Sequence, residues 1–268
     1  MQDYKGIVVV TGAGSGIGKA VAEIFATNGY YVYALFRSAK MGNSRKLGSG
    51  IIEERVCDVA DEESIKMAFS GIASIDILIN VAGFGIFGSA EMTSNKDVHF
   101  QFETNYFGTL NVNRYALPIM RNQGHGLVMI TSSVGGVYPL PFQGQYSATK
   151  AALEAYAGSL YNELRPFGVK VTVIEPGDAS TPFTKKRKTT ETDDSPYKKM
   201  VEYSLSKAED DENNGYSPER VAKTYYRVAK KKHPSLSYAV GFKYKFLVFL
   251  KRIFSKKFML FVLKKMYM

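Results

Sequence analysis

Apolar positions over the first 175 residues fall into short β-branched runs separated by longer segments with an apolar period near 3.6 residues, as expected of βα units around a parallel sheet. The runs predict strands over Gly6–Thr11, Tyr31–Phe36, Ile51–Asp58, Ile75–Asn80, Gly126–Ser132 and Val169–Glu175. The periodic segments predict helices over Ile17–Asn28, Ser64–Ile72, Ser94–Asn122, Gln145–Pro166 and Pro218–Lys232, the last opened by the start signal Ser217-Pro218. A short run, Ser237–Val240, is expected to close the sheet.

Two stretches break this rhythm. Residues 181–216 turn to Lys and Arg, then to Asp and Glu, with little periodicity, which predicts a mobile insertion rather than a new domain. Residues 242–268 interleave Phe, Leu, Met and Val with eight Lys/Arg and no acid, so they hold eight of the net ten positive charges of the 268-residue chain. The interruption at Ser255-Lys256-Lys257 leaves two apolar pieces, each too short to span a bilayer. Such a tail suits a lipid surface or amphipathic packing better than nucleic acid, for which no recognition motif accompanies it.

Composition adds bounds. A 45% apolar content is enough for a sizeable core. A single cysteine, Cys57, excludes an intrachain disulfide and a cysteine metal cluster; no metal is expected, and a reducing, cytoplasmic compartment fits. The first ten residues have no secretory pattern.

The candidate chemistry begins at the first βα turn, Thr11-Gly12-Ala13-Gly14-Ser15-Gly16-Ile17-Gly18. Glycines there let backbone N–H groups and a helix N-terminus approach a pyrophosphate. Tyr146 and Lys150 stand four apart, hence one turn apart on one helix face, where an ammonium can stabilise a phenolate and lower its pKa.

The glycine spacing, together with the rest of residues 5–241, resembles the short-chain dehydrogenase/reductase family. The resemblance implies a single Rossmann-like, doubly wound seven-stranded sheet; residues 1–241 are then read as the oxidoreductase domain, with 181–216 as its substrate lid, and residues 242–268, outside the resemblance, as an amphipathic basic extension. It also implies a nicotinamide cofactor and assembly as a homodimer or homotetramer. Phe36 stands where an NAD-selective member would carry an acid, while Arg37 offers a charged fork to a 2′-phosphate with Ser38 beside it, which favours NADP(H); Lys40 or Arg45 could bias the site if Arg37 is only solvated. By family position Asp58, followed by Val59, would meet the adenine amino group, Asn80 would brace the backbone, and Ala82 and Gly83 would leave room for the cofactor. Pro176, Gly177 and Thr181 match the family's contacts to the nicotinamide side.

Ser133 precedes Tyr146 by thirteen residues, the family's spacing for a catalytic serine that donates to the substrate carbonyl; Ser132 competes for the role. Asn105 matches a mid-helix asparagine that helps hold a water leading to Lys150. The implied catalytic set is therefore Asn105, Ser133, Tyr146 and Lys150. The string from Ser133 to Phe142 and the basic tail look most like the 17-beta-hydroxysteroid and retinol dehydrogenase branch, which implies a steroid, bile-acid, retinoid or other lipid-like substrate. Tyr138, Leu140, Pro141 and Phe142 are expected to line its pocket and Phe183 to fold over it. The tail is expected either to pack through Phe246, Leu250, Ile253 and Phe254 or to touch a membrane peripherally. A 3-oxoacyl carrier-protein reductase and a non-catalytic dinucleotide sensor remain as alternatives.

Overall fold

The computed structural model describes residues 4–251 and 253–268; Arg252, counted above among the tail's charges, and residues 1–3 lie outside the described residues. Parallel strands β1 (Ile7–Thr11), β2 (Tyr31–Phe36), β4 (Gly50–Val56), β5 (Ile77–Asn80), β7 (Gly126–Thr131), β8 (Val169–Glu175) and β10 (Ser237–Ala239) form the body of one sheet. Their order is β10-β8-β7-β5-β1-β2-β4, so the chain reverses direction of travel at β1, and the strand ends on either side of β1 open the crevice where such sheets take ligands. Alternation divides the core between the two faces. Val8 and Val10 join α1 (Gly16–Thr27) and α9 (Pro218–Ala229) on one side; Val9 joins α2 (Glu62–Phe69), α4 (Gly108–Gln123) and α6 (Gly144–Glu163) on the other.

The sheet has eight strands, not seven. The extra one, β3 (Ser44–Leu47), pairs antiparallel with β4 across a turn at Gly48, φ +60°, and its charged, exposed side chains gave no alternating pattern to read. Ser217 caps α9 by accepting from the Arg220 N–H, with Pro218 in the first turn, as the start signal predicts.

The helix expected over Ser94–Asn122 is interrupted. Ser94 caps α3 (Asn95–Phe102), a single π turn covers Glu103–Phe107, and α4 follows without a break. The extra residue of a π turn re-aims one side chain, and here it turns Asn105 into the fully buried interior.

The segment expected to lack periodic structure holds α7 (Phe183–Lys186), β9 (Lys188–Thr189) and a 16-residue helix, α8 (Lys198–Asn213). Helix α8 buries Val201, Ser204 and Ala208 on one narrow face, too few apolar positions for the pattern to stand out. Strand β9 pairs with β6 (Ile86–Phe87), tying this segment to the loop after β5. The tail forms α10 (Phe242–Leu250) and α11 (Lys256–Tyr267), the latter capped by Ser255. No described helix is long and apolar enough to cross a membrane.

Candidate active site

At the cofactor end, β1 runs straight into the glycine turn and α1. Gly12 holds φ +67°, and a Cβ on it would lie 2.9 Å from the backbone of Ala82; one on Gly18 would lie 2.3 Å from the Gly12 carbonyl. Only glycine lets the turn pass this close to the β5 end and to the first turn of α1. Thr11 Oγ1 locks the same two strand ends, accepting from the N–H groups of Val81 (3.1 Å) and Ala82 (3.2 Å). The result is a backbone cradle at a helix N-terminus, and its donor set fits a dinucleotide pyrophosphate.

A cavity of about 800 Å³ runs from this cradle to the proposed chemical end. Gly12, Gly14, Ser15, Gly16, Ile17, Gly18, Arg37, Ser38, Asp58, Val59, Ala82, Gly83, Pro176, Gly177 and Thr181 all border it. Arg37 is exposed at its rim, and Phe36 packs over Gly14. Of the two alternative cations, Arg45 is paired with Glu23 at 2.9 Å, whereas Lys40 borders an adjoining hollow with Ser38. The Asp58 carboxylate accepts from the Ala60 N–H at 3.0 Å, and Ser64 Oγ accepts from its backbone N–H at 2.9 Å, which fixes the strand end. Asn80 does not reach the cavity; it is buried and donates to Asn113 Oδ1 at 3.0 Å, bracing β5 against α4.

At the other end α6 carries Tyr146 and Lys150 toward β7. Lys150 is buried, its Nζ donating to the Thr131 carbonyl at 2.8 Å and lying 5.8 Å from the centre of the Tyr146 ring. Burial pushes the ammonium down to about 8. Burial also pushes the Tyr146 phenol up to about 12, against a hydrogen bond from Ser133 that lowers it. Desolvation outweighs the charges around this tyrosine in setting its pKa. Ser133, in extended backbone two residues beyond the end of β7, caps the short helix α5 (Val134–Val137), its Oγ accepting from the Gly135 N–H at 3.0 Å. Ser132 points differently, donating to the Lys150 carbonyl at 3.2 Å, so its hydroxyl is engaged by α6. Asn105 lies behind the cavity. Its amide takes the Phe84 N–H (2.9 Å) and donates to the Phe84 carbonyl (3.0 Å) and Thr149 Oγ1 (3.2 Å), clamping the loop after β5 onto α6.

Tyr138, Leu140 and Phe183 border the cavity. Phe183 meets Tyr146 edge-on with ring centres 5.8 Å apart, and Tyr138 donates to the Leu247 carbonyl of α10 at 2.9 Å. Pro141 and Phe142 do not border it. Phe142, at φ +59°, turns away to pack with Phe87, Val201 and Ala208, because that strained turn directs its side chain toward α8.

Several bordering residues were not foreseen. Lys186 of α7 borders the cavity and donates to Ser15 Oγ at 3.2 Å, placing a cation over the glycine turn. Ala208 and Glu212 come from α8; Tyr244 and Leu247 from α10; Met259, Val262, Leu263 and Met266 from α11. Tyr244 packs on Gly177, where a Cβ would stand 2.3 Å from its Cζ, and hydrogen-bonds Asp178. Glu212 pairs with Arg187, whose side chain is only 1% exposed and lies over the rings of Phe87 and Phe183. The spacing Met259-Leu263-Tyr267 was a readable signal for an inward helix face. By contrast, Phe246, Ile253 and Phe254, expected among the packing residues, are exposed.

A glycine cradle at the switch in strand order, opening onto a buried lysine and a half-buried tyrosine and serine, defines a dinucleotide-linked oxidoreductase of the Rossmann type. The short chain dehydrogenase family model matches residues 6–192, and the chain belongs to that family. It is 36% identical over 243 residues to the 3-ketodihydrosphingosine reductase of Bacteroides thetaiotaomicron, covering 88% of this chain and 87% of that protein. It is 31% identical over 250 residues to human 17-beta-hydroxysteroid dehydrogenase type 1, covering 87% of this chain and 76% of that protein. A solved short-chain dehydrogenase from Streptomyces avermitilis superposes with a TM-score of 0.77 at 28% identity, covering 92% of both chains. Members of this family are oxidoreductases of carbonyl and alcohol groups on small molecules, bind nicotinamide dinucleotides and typically form oligomers.

Proposed function

We propose that this chain is a cytoplasmic NADP(H)-dependent oxidoreductase that interconverts a carbonyl and an alcohol on a lipid-like substrate, with Tyr146 as the proton relay. The observation that carries the reading is the convergence of Tyr146, Ser133 and Lys150 on one end of an elongated cavity. Leu140, Phe183, Leu247, Met259 and Leu263 are among the apolar residues that border the same cavity. Those apolar walls suit a bulky apolar substrate, and the 3-ketodihydrosphingosine reductase and hydroxysteroid dehydrogenase relatives support the same class.

Residues 1–241 are read as the catalytic domain, residues 181–216 as its lid and residues 242–268 as an extension that completes the pocket. The glycine turn from Gly12 to Gly18, with Ser15 and Ile17, would hold the pyrophosphate. Asp58 and Val59 would hold the adenine, Ala82 and Gly83 would shape the middle of the site with Asn80 bracing β5 behind them, and Pro176, Gly177 and Thr181 the nicotinamide end. Arg37 and Ser38, without an acid at Phe36, favour a 2′-phosphate. When bound, the nicotinamide supplies or accepts the hydride.

Tyr146 holds its proton at neutral pH and delivers it to the carbonyl oxygen. Ser133 orients that oxygen and shares its developing charge, Lys150 stabilises the phenolate left behind, and Asn105 positions the helix that carries both. Oxidation reverses the proton's direction. Tyr138, Leu140 and Phe183 would contact the substrate, and a homodimer or homotetramer is the expected assembly.

The test is NADPH consumption, followed at 340 nm, against long-chain keto, steroid, retinoid and thioester-linked carbonyls, with NADH in parallel and Tyr146→Phe as control. Turnover of a free apolar ketone with NADPH, lost by a factor on the order of 10² to 10⁴ in the variant, is the expected result. Turnover confined to thioesters, or undiminished in the variant, overturns it.

A further inference from the structure

Helices α10 and α11 have two faces with different destinations. Their inner face is spent on the protein: Tyr244, Met259, Leu263 and Tyr267 are buried together with Val134 and Tyr138. Their outer face carries a row of exposed aromatic rings. Phe242 (83% exposed), Phe246 and Phe249 recur at helical spacing along α10, and Phe254, Phe258 and Phe261 continue the row onto α11. Phe254, in the link between the helices, stacks on Phe258 of α11 with ring centres 4.8 Å apart. Contiguous exposure of this kind marks an interaction site rather than ordinary surface.

Charge identifies the occupant. Lys245, Lys256, Lys257, Lys264 and Lys265 are exposed on the same two helices and Lys251 directly after α10, and residues 242–268 contain no acid at all. A second copy of this chain, meeting the face about a twofold axis, would set like charges against each other. An anionic bilayer answers both properties at once, taking the phenylalanines among its acyl chains and the lysines among its headgroups. At 1.5 Å per residue the two helices are only about 14 and about 18 Å long, so they lie in the interface rather than cross it.

We propose that the outer face of α10 and α11 docks this protein onto an anionic lipid surface, with the pocket wall formed by the inner face of the same helices held against the bilayer. The proposal goes beyond the oxidoreductase reading and does not depend on it.

The experiment is flotation of the full chain with vesicles of phosphatidylcholine alone or mixed equally with phosphatidylglycerol, at low and high salt. Two variants accompany it: Phe246→Ser/Phe249→Ser/Phe258→Ser/Phe261→Ser and Lys256→Glu/Lys257→Glu/Lys264→Glu. Each lysine near such a surface changes partitioning by roughly five-fold, so the charge variant should lose at least tenfold in binding to the mixed vesicles, and the aromatic variant should lose a similar factor. Unchanged melting temperatures show that these exposed positions were not needed for folding. Salt should weaken binding, and neutral vesicles should bind far less. The proposal is overturned if the intact chain stays with the buffer, if neutral and anionic vesicles bind alike, or if the variants abolish self-association and leave vesicle binding intact. Flotation requires no turnover, so a vesicle-bound but inactive chain would count against the oxidoreductase reading alone.

Discussion

Lys150 offers the most quantitative test of the site. Its ammonium is buried against the Thr131 carbonyl and titrates at about 8, against an ordinary 10.5, because desolvation disfavours the charged form. A lysine depressed in the fold lowers stability wherever it must be charged, so the penalty is fully present below about pH 8. Between about 8 and 10.5 the unfolded chain binds more protons than the native one, and stability rises with pH. At about 1.4 kcal/mol per pH unit, the full interval is worth about 3 kcal/mol, of which 2 to 3 kcal/mol, roughly, should be recovered between pH 7 and 10. Lys150→Met keeps the length of the side chain and removes the titration. Urea unfolding of both proteins at half-unit steps should show their stability difference shifting by that amount in favour of the native lysine as pH rises. Above pH 10 the opposite slope enters, since Tyr146, raised to about 12, keeps its proton in the fold longer than in the unfolded chain. Parallel pH profiles for the two proteins would mean that Lys150 is solvated, and the desolvation argument would fail.

Further expectations concern other parts of the site. Glu212→Gln leaves the Arg187 guanidinium buried beside Phe87 and Phe183 without its counter-charge, which should cost about 3 to 5 kcal/mol in thermal or urea unfolding; Arg187→Met in the same background should restore part of it. Arg37→Ala should raise the KM for NADPH by roughly tenfold or more while leaving that for NADH nearly unchanged, because one charged fork to a phosphate is worth about 1.5 to 3 kcal/mol; equal effects on both cofactors would remove Arg37 from the phosphate site. Leu263→Ala, at a fully packed position between α11 and the pocket, should destabilise by about 2 to 5 kcal/mol and raise KM for long apolar ketones more than for short ones.

Much of the proposed catalytic centre was readable because it rests on local geometry. Tyr146 and Lys150 are one helical turn apart, the glycine turn sits between one strand and one helix, and both relations survive whatever the rest of the chain does. Ser133 was preferred over Ser132 on the resemblance's thirteen-residue spacing to Tyr146, and the structure engages the Ser132 hydroxyl with the Lys150 carbonyl. The burial of Asn105 depends on a π turn, which no periodicity announces since it shifts the register by one residue inside an otherwise continuous helical pattern.

The sequence by itself determined the alternating architecture, the phosphate turn, the spacing of the tyrosine and lysine, and the unbalanced charge of the last 27 residues, because each is a property of neighbours along the chain. Tertiary structure alone decided which side chains enclose the pocket. Leu140 enters it while Phe142, two residues on, turns toward α8; Tyr244 and Met259 reach it from the far end of the chain; and the tail's phenylalanines remain outside. Enclosure depends on which faces of distant helices meet, and an amphipathic pattern states that a face is apolar without stating what it will be buried against.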